Sequence, residues 1–306
     1  MLFVDALMVN LATFVFIGFL WISIHYSPMF KSLTDYLRDF DFTDLYFSDI
    51  RKENQLISKE VFIVNTGNLG RIKLAEQINT IQKFNPAVIG VEYIPEEKGG
   101  FEDYILKDAL NKHPNIVMSV APVYKDNEVI SLRKPNPFFG ELPVGNINFV
   151  TNPPTIRSFR RQIIYNDTII NSFAEEILKI YNPQKLKSFN NRKNNNEIIN
   201  YKSGTMPFII FDYEYLEDSA VNLSIIEDKI VLLGYMKRYQ DAAIDTLHTY
   251  FTPVERSKYG HPDFKRIEIH ANIINMILED NYIDKLPLWA NVLIAFIIGY
   301  IFIIFI

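Results

Sequence analysis

Hydrophobic and polar positions divide the chain into an apolar segment at each end and a mixed stretch between them. Residues 6–30 hold no Lys, Arg, Asp or Glu and include the run FVFIGFLWISI at Phe14–Ile24. Residues 286–306 are likewise uncharged and close with IAFIIGYIFIIFI. A helix of about 20 apolar residues crosses a bilayer. Both segments qualify, and neither has a periodic polar face of the kind a surface helix needs. Between them, four short apolar runs predict strands buried on both faces: Val61–Asn65, Ala87–Val91, Asn115–Val120 and Lys229–Gly234. Apolar residues at 74, 75, 78, 81 and 84 predict a helix over Ile72–Phe84, and Phe101–Lys112 predicts another. Strand–helix–strand–helix–strand implies a parallel sheet.

The remaining stretches are less regular. The amphipathic stretch Phe30–Phe47 has roughly helical spacing. Asn146–Val150, Gln162–Tyr165 and Phe208–Phe211 read as strands. Asp167 or Thr168 is the expected cap of a helix through Phe173, Ile177 and Tyr181. Gln184–Glu197, with its NNRKNNN run, and Asp241–His261 read as polar loops. Ile267–Glu279 carries the apolar stripe of a last helix before the second terminal segment.

Charge and cysteine content narrow the classes. The middle stretch, 31–285, carries all 31 basic residues and 35 of the 36 acidic ones. A mildly acidic balance argues against nucleic acid and against adsorption to anionic headgroups. The chain has no Cys, which removes disulfides, thiolate catalysis and Cys-type zinc sites. The first apolar segment lacks a basic n-region and a small-x-small cleavage site, so a retained anchor is expected. Neither outer flank has a Lys or Arg, which leaves the positive-inside rule nearly silent. Two spans place both termini on one side and the domain on the other.

Candidate chemistry is sparse. Glu92 ends one strand, Asn65 ends its neighbour, and Arg71 opens a helix. In open parallel sheets ligands bind outside these strand ends, so the three residues are candidate ligand contacts. The alternative is an internal Arg–Glu pair beside an Asn turn. His248, His261 and His270 lie near Asp241, Asp245 and Glu268, but their spacing matches no compact ligand pattern, and no metal is expected. TGNLG at Thr66–Gly70 lacks the Lys-Ser/Thr of a phosphate loop. No G-x-S-x-G elbow and no compact acid pair stands out. No catalytic residue and no cofactor is expected.

Several stretches resemble the CHASE2 domain, a bacterial extracytoplasmic sensory module of membrane signalling proteins. They are FDFTDLYF at Phe40–Phe47, the strand–helix–strand unit at Glu60–Ile94, INYKSG at Ile199–Gly204 and KIVLLGY at Lys229–Tyr235. Asp245–Ile283 is the most specific, with Thr252–Pro253 followed by IHANIINMIL at Ile269–Leu278. The sequence departs from the family's pattern before Arg71, where Asn68–Leu69–Gly70 stands, and before the IHAN segment, where Arg266–Ile267–Glu268 stands. The resemblance implies structural roles for Asp245, Thr252, Pro253, His270 and Asn272. Proteins of this kind usually continue through further membrane helices to a cytoplasmic output domain; the sequence reaches the first such helix, so any catalytic output lies outside it.

The expected architecture is an α/β domain with a central, mostly parallel sheet flanked by helices, and a transmembrane helix at either end. The expected boundaries are 6–30, 31–285 and 286–306, with the domain facing the periplasm or exterior from the bacterial inner membrane. The expected role is sensing, with the terminal helices passing the stimulus across the bilayer. The stimulus would be a small molecule or a protein, and a homodimer or a membrane complex is a possible setting. A docking subunit of a membrane complex and a periplasmic metal-dependent hydrolase are the rival readings.

Overall fold

The computed structural model describes residues 2–26, 41, 44, 46–51, 57–68, 70–126, 128–149, 154–202, 207–218, 222–236, 249–254 and 264–305. The chain falls into two compact units, Phe42–Tyr282 and a second made of Met1–Asp41 with Ile283–Ile306.

The larger unit is built on a mixed sheet. Its strands are β1 (Val61–Asn65), β2 (Val88–Val91), β3 (Ile116–Lys125), β4 (Glu128–Arg133), β5 (Val144–Asn146), β10 (Ile209–Asp212) and β11 (Ile230–Gly234). The order β10–β1–β11–β2–β3 is parallel throughout. Strand β5 adds parallel to β3, and β4 folds back antiparallel on the far half of β3. Strands β1, β2 and β11 are buried along their whole length. Such runs are continuously apolar because helices cover both sides of the sheet.

One face packs Phe62, Val64, Ile89, Val91, Ile116, Met118, Val231 and Leu233 under helices α2 (Gly70–Gln82) and α3 (Phe101–Asn111). Leu74, Ala75, Ile78 and Ile81 form the buried stripe of α2, and Leu106, Ala109 and Leu110 that of α3. The other face carries α4 (Phe173–Tyr181) over β2 and β3, and α7 (Arg266–Leu278) over β1 and β11. Gly90 permits the approach of α4. A Cβ there would stand 2.6 Å from Ile177 Cδ1 and 2.9 Å from both Phe173 Cζ and Leu232 Cδ2.

The irregular middle differs from the sequence expectation in four places. Asp167 and Thr168 do not cap α4. Asn166 and Asp167 both have positive φ, 46° and 57°, and turn a hairpin between β7 (Gln162–Tyr165) and β8 (Thr168–Asn171); this is the geometry that Asn and Asp tolerate in tight hairpins. Ser172 is the cap, its hydroxyl accepting from Glu175 N. The stretch expected as a loop over Gln184–Glu197 contains α5 (Pro183–Asn190) and β9 (Asn196–Ile198), which pairs with β6 (Ser158–Arg160). Asn182 caps α5 by accepting from Lys185 N at 3.0 Å, and Pro183 presets its first turn. Phe189 anchors it, fully buried against Phe159 and beneath the Arg161 guanidinium. The strand expected over Asn146–Val150 is instead Val144–Asn146, because the Asn146 side chain accepts from Asn148 N and turns the chain. Finally, β3 runs on to Lys125 and pairs with β4, an exposed strand with no apolar run to mark it.

Most of the amphipathic stretch Phe30–Phe47 lies outside the described residues. So does most of Asp241–His261; its described part holds β12 (Thr249–Tyr250), antiparallel to β13 (Phe264–Lys265).

The smaller unit contains the two apolar helices, α1 (Leu2–Tyr26) and α8 (Leu288–Phe305). Their apolar stretches Phe3–Ile24 and Leu288–Phe305 have mean hydropathies of 2.2 and 2.5. At about 1.5 Å rise per residue they are about 33 and 27 Å long, comparable with the roughly 30 Å of a bilayer core.

Candidate functional site

The carboxyl ends of β1, β11 and β2 frame a crevice of about 620 Å³. Its position follows from topology. After β1 the chain leaves to one face as α2, whereas α7, which follows β11, lies on the opposite face. Neighbouring parallel strands whose connections diverge leave a cleft at their carboxyl ends. The volume is in the range of small-molecule sites. Thr66 and Gly67 lie on one wall, Tyr93 and Tyr235 on others, and Glu92 and Arg266 meet at the strand ends. Among the described residues, no His, Cys or Ser lines the crevice. Its described lining offers groups suited to hydrogen-bonded recognition.

Glu92 directly follows β2, its side chain only 3 % exposed. Arg266, the first residue of α7, donates from Nε to Glu92 Oε1 at 2.6 Å. Burial pushes the Glu92 carboxyl above the ordinary carboxylate range, and Arg266 works against that push. Burial pulls the Arg266 guanidinium down, but Glu92 and Tyr250 outweigh it and hold the group above its ordinary value. Glu92 Oε2 is buried with no hydrogen-bond partner among the described residues. The pair thus ties the crevice to the start of α7.

Of the three candidate contacts from the sequence, the crevice takes in Glu92 alone. Arg71 turns away. It pairs with the buried carboxylate of Asp103 on α3, and its Nε donates to Tyr93 Oη at 3.0 Å. Arg71 therefore braces a crevice wall without lining it. Asn65 knits three strand ends together. Its Nδ2 donates to Asp212 Oδ1 at 2.8 Å, and its Oδ1 accepts from Gly67 N at 3.1 Å and Met236 N at 2.8 Å. Glu92 pairs with Arg266 and not with Arg71. Arg266 was not singled out by sequence reasoning. Its one signal was position: a cation opening the helix that follows a strand adjacent to the one Glu92 follows.

The residues of the IHAN segment sit under this floor. The His270 ring lies between Phe149, 4.8 Å between centroids, and Phe173, 5.3 Å away. Its Nε2 is 3.2 Å from Ile147 O. A carbonyl only accepts, so Nε2 carries a proton. Burial draws the His270 pKa down to about 3, helped by the Arg266 charge and opposed by the Ile147 bond. Asn272 clamps the INYKSG segment to α7: its Oδ1 accepts from Lys202 N at 2.7 Å while its Nδ2 donates to Glu268 O at 2.9 Å. Asn200 N also points at Met276 Sδ, 3.3 Å away. Thr252 and Pro253 are buried, and Thr252 Oγ1 accepts from Val254 N at 3.3 Å. Asp245, His248 and His261 lie outside the described residues. Among the described residues no three His, Cys, Asp or Glu side chains gather as metal ligands do.

No curated protein and no solved structure matches the chain. A family model does: the CHASE2 domain, over residues 48–305. That match covers most of the chain, including the crevice, the Asn272 clamp and the second apolar helix. CHASE2 domains are extracytoplasmic sensory domains and not catalytic ones, and an apolar helix at either end fits membrane anchoring. The chain belongs to the CHASE2 family.

Proposed function

We propose that this protein is a membrane-anchored sensor whose domain, residues 31–285, faces the periplasm or cell exterior and whose two terminal helices carry the stimulus across the inner membrane. The stimulus acts at the strand-end crevice, and Glu92 with Arg266 reads it. Asn65 and Arg71 position the strand ends and Tyr93 around that reader. The observation that carries this reading is the Glu92–Arg266 pair. It joins a ligand-sized crevice to the first residue of α7, and the chain continues from α7 through residues 279–287 into the second span. Signalling requires a ligand to favour one of two states. Anything that competes for either member of the pair changes how α7 is held at its start.

The experiment uses the absence of native cysteine. A single cysteine replaces Asp284 in the full chain, reconstituted in vesicles, and its rate of reaction with a soluble maleimide is measured with and without Glu92→Gln. A several-fold change is expected, with the melting of the domain retained. An unchanged rate, with the domain folded, would remove the crevice-to-span coupling.

The docking-subunit reading retains one observation in its favour. Ile164 and Ile169 face each other across the β7–β8 hairpin and are 69 % and 59 % exposed.

A further inference from the structure

The two apolar helices are joined by a polar contact at membrane depth. Asn10 lies within the first span yet is only 1 % exposed. Its Nδ2 donates to Phe296 O on α8 at 2.9 Å. Other polar side chains of α1 behave differently. Thr13 and Ser23 return their hydroxyls to the carbonyls of Val9 and Phe19, one turn back in their own helix. Such back-bonding satisfies a hydroxyl without a partner helix. A carboxamide carries two N–H groups and an acceptor oxygen, more than one carbonyl of its own helix satisfies, and in hydrocarbon Asn10 reaches a partner helix.

The facing surface of α8 is shaped to receive it. A Cβ at Gly299 would stand 2.7 Å from Asn10 Oδ1, so any larger residue would collide with the carboxamide. One turn further along α1, Phe14 meets Phe296 edge to face, 5.3 Å between centroids. Towards the other end, Tyr300 Oη donates to Phe3 O at 3.3 Å. The contacts Phe3–Tyr300, Asn10–Phe296 and Phe14–Phe296 run in opposite chain directions, so they describe one antiparallel seam.

We propose that Asn10, seated against Gly299, is a clasp that makes the two spans a single transmitting unit, so that a displacement of α8 carries α1 with it. This rests on the reading in which the spans carry the stimulus, but the clasp itself is tested without any stimulus.

The test again exploits the cysteine-free chain. Cysteines replace Phe14 and Phe296 in the full chain, with a protease site placed in residues 193–195. After oxidation in vesicles and proteolysis, the two halves should stay together on a non-reducing gel and separate on a reducing one. Adding Asn10→Leu should lower the crosslinked fraction roughly five-fold, in line with one interhelical hydrogen bond. Gly299→Ile should do the same with Asn10 intact. Domain melting should be unchanged in both, which reports that the chain has folded. A crosslinked yield indifferent to both substitutions would overturn the clasp, as would a product of twice the mass, which would place the seam between copies. If the clasp holds but maleimide reactivity at position 284 ignores Glu92→Gln, the sensing reading fails and the clasp stands.

Discussion

His270 shows how little a residue type says before its surroundings are known. In the sequence it is one of three histidines near acids, and a metal ligand and a buried structural ring are both open to it. The structure places it between two phenylalanines with one nitrogen bonded to Ile147 O. His270→Ala should lower stability by about 1–3 kcal/mol, since a buried hydrogen bond and its packing are lost together. Denaturant melts of the full chain in detergent check this. The neighbouring Glu268 adds a pH dependence. Burial raises its pKa to about 7, against the opposing Lys265 backbone bond and charge. Its protonated form is favoured by folding, so its stabilising contribution is present below about 4.5 and is lost as pH rises through about 7. His270 has the opposite sign. Its contribution is present above about 6.5 and is lost as pH falls towards 3. The two oppose each other between roughly pH 4.5 and 6.5. Glu268→Gln keeps the acceptor for Lys265 N and removes one of the pair. The variant should therefore lose stability on acidification across that window faster than the parent, by up to about 1 kcal/mol per pH unit. Parallel melting curves would contradict it.

At the scale of elements, the apolar pattern made the central strands and their helices legible, because burial on both faces leaves a run with no polar alternation to misread. The same criterion hid β4, which is exposed, and α5, whose surface is nearly all polar and whose single anchor is Phe189. The hairpin turn at Asn166–Asp167 was misassigned because Asp also caps helices; only φ separates the two uses. For the site, position in the sheet identified Glu92, but pairing did not follow from sequence. Arg71 and Arg266 are both helix-opening cations near the strand ends. Which one reaches Glu92 depends on α7 crossing the opposite face from α2. Gly90 tests the packing that fixes this arrangement. Gly90→Val drives a branched side chain into Ile177, Phe173 and Leu232, and should cost about 1–3 kcal/mol or more by overpacking. Gly100→Ala, where an added Cβ meets nothing within 4 Å, is the control.

For the whole molecule, the proposed coupling requires the connection from α7 to α8 to transmit movement. Its first part is held to the domain: Lys185 pairs with Asp280, Asn200 Nδ2 donates to Asn281 O at 3.0 Å, and Tyr282 stacks on Phe189 at 5.6 Å. The rest is short in sequence, ending where α8 begins at Leu288. A Gly/Ser insertion of about ten residues after Asp284 spans roughly 15–20 Å as a coil. It should abolish any effect of Glu92→Gln on a cysteine placed beyond the insertion, at Leu286, while leaving domain melting unchanged. Persistence of the effect would mean that α8 is reached by another route. All of this presumes a domain outside the cytoplasm with both termini inside, and fusion reporters measure that directly. Alkaline phosphatase joined within residues 190–195 should be active, and the same enzyme joined at Met1 or Ile306 should be inactive. Activity at the termini, with none in the domain, would contradict the account.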